Sequence, residues 1–393
     1  MIKKIRVRNF RSLRDVELHL GGRNILIGPN KSGKTSLLDA FSFLAQAVFL
    51  GDIGKALDQR GGLVSVLWKG EQRLSDVLGP AFNVIEWEIQ GEVAGREATK
   101  FTYLLAISGD LAGSRVFVKR EVLDVVTGET TGRLIDMQDG EGVAKRLDGS
   151  QLFSVAEDKR KPALSYDIPG WEAQLVKNTI SLWHFYDLIP QLATPVSASA
   201  AAVSSLDVHG TNLTSWIHTI QVNHPDEFQR IVKLMCDAFP EIESLQSIVT
   251  QAGTTFITSR EKHLQSPIAP LHFSSGERKF LALASLIYSP FGGSLLCIEE
   301  PENHLHPRLL SRWVEIEDQR RRELAGRAAQ LVVTTHSPYL VDLLEPEDIV
   351  LVEKREGTTQ CRRPSSGDEL RRLIREAETT LGRLWFTGSL GAV

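Results

Sequence analysis

The chain has 393 residues, 42% of them hydrophobic and 24% charged, with Lys plus Arg at 45, Asp plus Glu at 49, and a net charge of −4. That length suggests roughly two to three domains and a core that needs no covalent staples. The charge balance excludes a globally basic nucleic-acid coat. Three well-separated cysteines, Cys236, Cys297 and Cys361, exclude a disulfide framework or a thiolate zinc site. No apolar stretch approaches the roughly 18 residues of a membrane span, so a cytoplasmic protein with no membrane partner is expected.

Residues 2–20 read as two strands of alternating charged and apolar residues, IKKIRVRNF and RDVELHL. The apolar run Asn24-Ile25-Leu26-Ile27 then ends at Gly28, a buried-strand signal. Helical spacing runs from Lys34 to about Leu50. Residues 51–80 carry no clear pattern. Over 82–140, FNVIEWEIQGEV, KFTYLLAISG and SRVFVKREVLDVV predict an antiparallel β region. Residues 141–170 are polar and indeterminate. The first half of 171–190 has helical spacing and leads to the aromatic run Trp183-His184-Phe185-Tyr186, which reads as core more than as a base-stacking surface. Residues 193–205 are small and polar and read as a loop. Helices near 211–222 and 225–238 and strands at 243–250 and 254–259 follow.

From 276 onward the pattern is α/β. Helix 276–289, strand 294–298, helix 306–325, strand 330–335, short helix 338–344, strand 347–353 and helix 367–378 imply a mainly parallel sheet. The strand before Gly28 must join that sheet. One α/β domain is therefore split by an insert of about 200 residues. The expected organisation is 1–60 and 261–393 as the two parts of one head, 61–200 as a β-rich insert and 201–260 as a helical and β connection.

The strongest motif is Gly28-Pro29-Asn30-Lys31-Ser32-Gly33-Lys34-Thr35, which fits G-x-x-x-x-G-K-[ST] between a strand and a helix. Gly33 lets backbone N–H groups turn toward phosphate oxygens. The helix start adds free donors, to which Ser36 belongs. Lys34 brings positive charge, and Thr35 a hydroxyl for Mg²⁺. A second signal is Leu295-Leu296-Cys297-Ile298-Glu299-Glu300. An apolar strand here delivers two carboxylates to the carboxyl edge of an α/β sheet, where ligands bind. One carboxylate suits Mg²⁺ and the next suits deprotonation of water. A third is Thr334-Thr335-His336-Ser337, a histidine at a strand's carboxyl end. A fourth is Phe273-Ser274-Ser275-Gly276-Glu277, where Ser274 and Glu277 have capping-box spacing and the helix start also offers anion donors.

Taken together, the phosphate loop, S-S-G-E, E-E-P-E-N-H-L-H-P and T-T-H-S-P resemble ABC-type ATPases of the RecF/SMC/OLD group. The nearest resemblance is to the stand-alone AAA ATPase branch that looks like the ATPase half of OLD-family nucleases. The opening I-x-V-x-N-F-R-S-L and the ending LWFTGSLGAV share it, while 60–200 is placed only by position. The resemblance implies a P-loop α/β fold with an antiparallel β lobe. It puts Lys34 and Thr35 at Walker A positions, Glu299 at the Walker B acid, Glu300 at the catalytic glutamate and His336 at the switch histidine. It also puts Ser274, Ser275, Gly276 and Glu277 in a signature acting on a partner subunit's nucleotide. Arg11 matches a position that approaches the nucleotide in SMC-type relatives, and Gln191 a Q-loop residue. Walker B departs from the usual pattern, with Glu299 where Asp is common, and the signature is not L-S-G-G-Q. The interval of 240 residues from Lys34 to Ser274 (274 − 34) argues against a transporter subunit.

The resemblance implies ATP, Mg²⁺ and an ATP-dependent homodimer coupled to a separate effector protein, in phage defence or DNA maintenance. No TOPRIM-like nuclease segment is visible after His336, so cleavage of DNA is expected from a partner. Two alternatives stay open: a RecF-like clamp that binds DNA itself, and a nucleotide-sensing scaffold with little turnover, against which Glu300 and His336 argue. Basic clusters at Lys3, Lys4, Arg6, Arg8, Arg11 and Arg14, at Arg320–Arg322, and at Arg371, Arg372 and Arg375 offer a local DNA patch, but solvated faces account for them more simply. His272, His304, His306 and His336 lack the helical H-E-x-x-H spacing of a zinc protease.

Overall fold

The computed structural model describes residues 1–70, 84–94, 97–109, 115–155, 158–192, 198–269, 272–290, 293–364, 367–376 and 378–389. Two units make up the chain: Met1–Trp183 with Glu347–Gly367 and the residues from Gly388, and His184–Pro346 with Asp368–Thr387. In chain order the first unit begins with β1 (Ile2–Phe10), β2 (Leu13–His19), β3 (Arg23–Ile27), α1 (Lys34–Leu50), α2 (Ile53–Asp58) and α3 (Leu63–Val66). It continues through β4 (Ile85–Val93), β5 (Thr99–Gly109), β6 (Val116–Thr127), β7 (Thr130–Gln138), β8 (Glu141–Lys145), β9 (Gln151–Val155) and α4 (Ala173–Ser181). Then come β10 (Trp183–Tyr186), β11 (Ala198–Ser199), α5 (Leu213–Asn223), α6 (Pro225–Ala238), β12 (Ile242–Val249), β13 (Thr254–Glu261) and α7 (Ser275–Ile287). The remainder is β14 (Leu295–Glu299), α8 (Pro307–Leu324), β15 (Gln330–Thr335), α9 (Pro338–Asp342), β16 (Ile349–Arg355), β17 (Thr358–Arg362), α10 (Gly367–Glu376) and α11 (Leu381–Phe386). Among the described residues no helix is long and apolar enough to cross a membrane.

The first unit holds an eight-stranded sheet in the order β2-β1-β4-β5-β6-β7-β8-β9, each neighbouring pair antiparallel. Strand period explains it: β4 buries Ile85, Trp87, Ile89 and Val93 and turns Glu86, Glu88, Gln90 and Glu92 outward. The basic residues of β1 obey the same period. Lys4 pairs with Glu17 at 3.1 Å, Arg6 with Asp15 at 2.6 Å, and Arg8 with Glu86. Each such pair contributes only about 0–1 kcal/mol, but together they offset the charge of three members of the N-terminal basic cluster. The inner face meets α1 through Phe43 and Trp87, stacked with centroids 4.6 Å apart, while Trp87 Nε1 donates to the Ala40 carbonyl at 3.0 Å.

A second pairing in the same unit closes the chain on itself. β3 runs parallel to β16, with Ile25, Leu26 and Ile27 opposite Ile349, Val350 and Leu351, and β17 lies antiparallel beyond β16. The strand before the phosphate loop thus pairs with a strand from the C-terminal part of the chain. In the second unit β14 and β15 are parallel, β12 and β13 form an antiparallel pair, and Trp216 of α5 donates to Ser285 of α7 at 3.1 Å.

Several segments differ from expectation. The indeterminate 141–170 contains β8 and β9, whose strand character is hidden by Gly and charged turns. The unassigned 51–80 contains α2 and α3, and its residues 71–80 lie outside the described residues. Residues 193–197 of the expected loop also lie outside them, and Ala198–Ser199 pair with β13. The strand expected at 347–353 runs Ile349–Arg355, and β17 and α11 were not foreseen.

One buried carboxylate ties the β lobe to the segment near the end of α1. Glu121 of β6 is fully buried and accepts from Tyr103 Oη at 2.9 Å, Ala163 N at 2.6 Å and Leu164 N at 2.9 Å. Burial pushes its carboxyl up to about 7, opposed by those three hydrogen bonds. A raised acid makes the folded state the better proton binder. Its contribution is fully present below the unfolded value near 4.5 and is lost as the pH rises through about 7. The stability difference between wild type and Glu121→Gln, followed by urea unfolding, is therefore expected to fall by about 3 kcal/mol from pH 4.5 to pH 8. A difference independent of pH would show that this carboxyl does not titrate there.

Candidate functional site

In the first unit the loop Gly28–Gly33 joins β3 to α1. Gly33 has φ 111°, a left-handed conformation that only glycine adopts without strain, and Lys31 is also left-handed at φ 65°. Both motif glycines are fixed by crowding. A Cβ on Gly28 would lie 2.0 Å from the Val352 carbonyl of β16, and one on Gly33 would lie 2.0 Å from Thr359 Oγ1 of β17. Thr359, fully buried, hydrogen-bonds the Ser32 carbonyl at 2.9 Å and the Ser12 hydroxyl at 2.8 Å. Ser12 reaches Ser36 at 3.2 Å.

The loop folds its lysine inward. Lys34 is buried, and its Nζ donates to the Gly28 and Pro29 carbonyls at 2.7 and 3.0 Å. Ser32 is buried and its Oγ has no hydrogen-bond partner among the described residues. Pro29, Asn30, Lys31 and Thr35 are exposed. Arg11, left-handed at φ 50°, pairs with Asp39 of α1 at 2.6 Å, and Arg60 holds the other oxygen of Asp39 at 2.7 Å. The supports from Thr359, Ser12 and Asp39 escape a reading of the motif. Ser12 and Thr359 are 347 residues apart, and nothing local marks them.

The second unit carries the carboxylates. Glu299 ends β14 opposite Thr334 of β15. Glu300 takes φ 41°, and its N–H bonds the Thr334 carbonyl at 3.0 Å. That turn carries the Glu300 side chain across the strand ends, where Oε1 lies 3.3 Å from His336 Nε2 and Oε2 accepts from Asn303 Nδ2 at 2.8 Å. The Glu300 side chain is 37% exposed, so water reaches it. Glu302, absent from the motif-based assignment, accepts from Thr335 Oγ1 at 2.6 Å and from His336 N at 2.9 Å. The structure therefore brings Glu300 and His336 together and adds Glu302 and Asn303.

Ser274 caps α7 through a complete capping box, accepting from Glu277 N at 3.2 Å while its own N–H donates to Glu277 Oε2 at 2.6 Å. The structural reading of S-S-G-E is thus correct, and it leaves Ser274 exposed at the start of the helix. Gly276 packs near the His304 carbonyl, 3.3 Å from where a Cβ would stand. Three residues on, Lys279 is buried and donates to the Leu188 carbonyl at 3.0 Å. Burial pulls its ammonium down to about 8, offset in part by Asp187, Glu302 and Glu300. Gln191 is exposed in a turn. His306 caps α8, its Nδ1 accepting from Arg308 N at 3.2 Å. Among the described residues no group of three or more His, Cys, Asp or Glu is placed to hold a metal.

A family model described as "AAA domain, putative AbiEii toxin, Type IV TA system" matches residues 141–342, and one described as "AAA ATPase domain" matches residues 1–75. The DNA replication and repair protein RecF of Lactococcus lactis subsp. cremoris (strain SK11) is 26% identical over 189 residues, 46% of this chain and 49% of that protein. The RecF protein of Magnetococcus marinus is 31% identical over 174 residues, 44% and 41% of the two chains. The OLD nuclease of Thermus scotoductus is 40% identical over 57 residues, 14% of this chain and 10% of the nuclease. The matches thus span less than half the length of these relatives. Among solved structures, an Smc head bound to the C-winged helix domain of ScpA superposes with a TM-score of 0.57 at 11% identity, covering 94% of this chain and 99% of that one. The Pyrococcus furiosus Smc head with an extended coiled coil gives 0.52 at 12% identity, covering 96% and 99%. The fold is therefore the α/β fold of an SMC head.

The crowding at Gly28 is directly testable. Gly28→Ala forces its methyl against β16 backbone and is expected to cost about 1–3 kcal/mol, seen as a lowered melting temperature. Gly21→Ala, whose added Cβ meets nothing nearer than 3.6 Å, is expected to be close to neutral. Equal effects at the two positions would show that Val352 moves aside freely.

Proposed function

Because the chain belongs to the family described as "AAA domain, putative AbiEii toxin, Type IV TA system", within the RecF/SMC/OLD group of ABC-type ATPases, we propose that it binds and hydrolyses ATP. The observation that carries the reading is the phosphate loop itself. Left-handed Gly33 opens α1, Lys34 is folded into the loop, and a buried Ser32 hydroxyl lacks a partner among the described residues. Phosphate oxygens would offer Lys34 charged acceptors in place of neutral carbonyls, a stronger hydrogen bond by roughly twofold. The nucleotide-binding set is Gly28 to Ser36, with Arg11 and Gln191 as outlying members.

Glu300 is the proposed general base toward the attacking water, with His336 beside it to bind charge developing on the phosphoryl group. Thr35 and Glu299 are hard oxygen donors suited to Mg²⁺, which family membership implies; when bound, the ion neutralises charge on the transferred phosphoryl.

The same reading extends to assembly. Two copies close around ATP in a C₂ arrangement, each offering the exposed Ser274 end of α7 to its partner's nucleotide. Hydrolysis then opens the dimer, because ATP favours the closed state. A separate effector protein, a nuclease among the candidates, is the proposed partner that reads the switch, in phage defence or DNA maintenance. The names of the RecF relatives tie those proteins to DNA. Here the ion-paired face of β1 favours a protein partner over direct DNA contact through the N-terminal cluster.

Lys34→Ala is expected to abolish ATP binding measured by fluorescent-nucleotide titration. Glu300→Gln is expected to keep binding and to lower kcat by about 10²–10⁴-fold. With ATP and Mg²⁺ the Glu300→Gln protein is expected at twice the monomer mass in light scattering, and with ADP at the monomer mass. Unchanged turnover in both variants would overturn the assignment.

A further inference from the structure

Glu302 stands two residues beyond Glu300, and the phosphate chemistry proposed above gives it no role. Its surroundings do. Oε1 takes two hydrogen bonds from the end of β15: the Thr335 hydroxyl at 2.6 Å and the His336 backbone N–H at 2.9 Å. Thr335 is fully buried, so its side chain has little freedom to find another acceptor. Thr335 Oγ1 in turn accepts from Ser337 N at 3.0 Å, and Ser337 caps α9 through Leu340 N at 3.2 Å. One carboxylate oxygen thereby fixes the backbone on both sides of His336.

The other oxygen, Glu302 Oε2, is buried and has no hydrogen-bond partner among the described residues. A buried carboxylate oxygen left without a donor is costly unless charge compensates it. On α7, Lys279 is 2% exposed and its ammonium donates to the Leu188 carbonyl at 3.0 Å, while the negative charges of Asp187, Glu302 and Glu300 favour its protonated form against burial.

We infer that Glu302 is a positioning residue that holds His336 against Glu300, with the buried Lys279 ammonium supplying the counter-charge. The inference rests on the hydrolytic reading of Glu300 and His336, but its geometric part does not. It also links the signature helix to the hydrolytic pair, since Lys279 lies five residues after Ser274 on α7.

Three variants of the full chain decide it. Glu302→Ala removes the acceptor, and kcat is expected to fall roughly tenfold to a hundredfold while KM for ATP stays within about twofold. Glu302→Gln keeps an oxygen for Thr335 and His336 and is expected to recover most of the lost kcat. Lys279→Met keeps the volume without the charge and is expected to lower kcat as Glu302→Ala does. The geometric claim is read separately by the His336 imidazole NMR signal, assigned by its loss in His336→Ala: it moves or broadens in Glu302→Ala and not in Glu302→Gln. Melting temperatures separate misfolding from misplacement. Wild-type kcat and an unmoved His336 signal in Glu302→Ala overturn the inference, as does a Gln variant no better than Ala. If Glu300→Gln, measured alongside, hydrolyses ATP normally, the hydrolytic reading fails while the His336 signal still decides whether Glu302 positions that histidine.

Discussion

The parallel pairing of β3 with β16 is the contact on which the phosphate loop depends. It joins residues 25–27 to residues 349–351, so folding must close a very long loop before the pairing gains anything. For some 320 intervening residues the length-dependent part of that closure costs about 5 kcal/mol. The side chains it buries answer the cost: Ile25, Leu26, Ile27, Ile349, Val350, Leu351 and Val352 are each at most 1% exposed. A fully buried side chain of this kind contributes about 1.5–3 kcal/mol, so a few of them suffice. The same strand then sets the loop's shape. The Val352 carbonyl lies where a Gly28 side chain would be, and Thr359 of the neighbouring strand occupies the corresponding place at Gly33.

Backbone in the left-handed region marks both halves of the candidate machinery. Asn9, Arg11 and Lys31 have φ of 60°, 50° and 65° near the phosphate loop, and Glu300 and His304 have 41° and 68° after β14. Non-glycine residues adopt such angles at a cost of order 1 kcal/mol or more and persist only where surroundings over-determine them. At Glu300 the determinants are visible: its N–H on Thr334, its carbonyl accepting from Asn303 N, and its carboxylate between Asn303 and His336. The turn converts a strand's carboxyl end, which would send successive side chains to opposite faces, into a bend that sets Glu300 beside His336.

What the sequence discloses follows from range. The phosphate loop, the Ser274–Glu277 box and the acids after β14 are local patterns, and each takes the form its residues suggest. β8 and β9 were hidden because EGVAK and QLFSV are short and separated by Arg-Leu-Asp-Gly-Ser, leaving too few residues for a period of two to show. The basic run of β1 left a local DNA patch open as an alternative because its counter-charges lie on other strands: Asp15 and Glu17 on β2, Glu86 and Glu88 on β4. The roles of Glu302, Thr359 and Asp39 depend wholly on tertiary neighbours. No spacing rule reaches from Ser12 to Thr359.

α1 connects these constraints to whatever the nucleotide does. Its first turn forms one wall of the phosphate loop, and its 17 residues make a rod about 25 Å long. Beyond that turn it is held to the β lobe at several heights: Asp39 between Arg11 and Arg60, Ala40 by Trp87, Phe43 stacked on the same Trp87. Past its end, Ile53 N bonds the Arg160 carbonyl, and Gly51 packs against Ser165, beside the Ala163–Leu164 amides held by Glu121. A helix of about five turns, closely packed on one face, does not bend under a displacement at its start; it moves with what it touches, since packed cores transmit strain and do not absorb it. Within this unit, then, the β lobe is mechanically part of the phosphate loop. Any displacement of Lys34 or Thr35 is therefore shared by Trp87 and, through the Glu121 clamp, by β6.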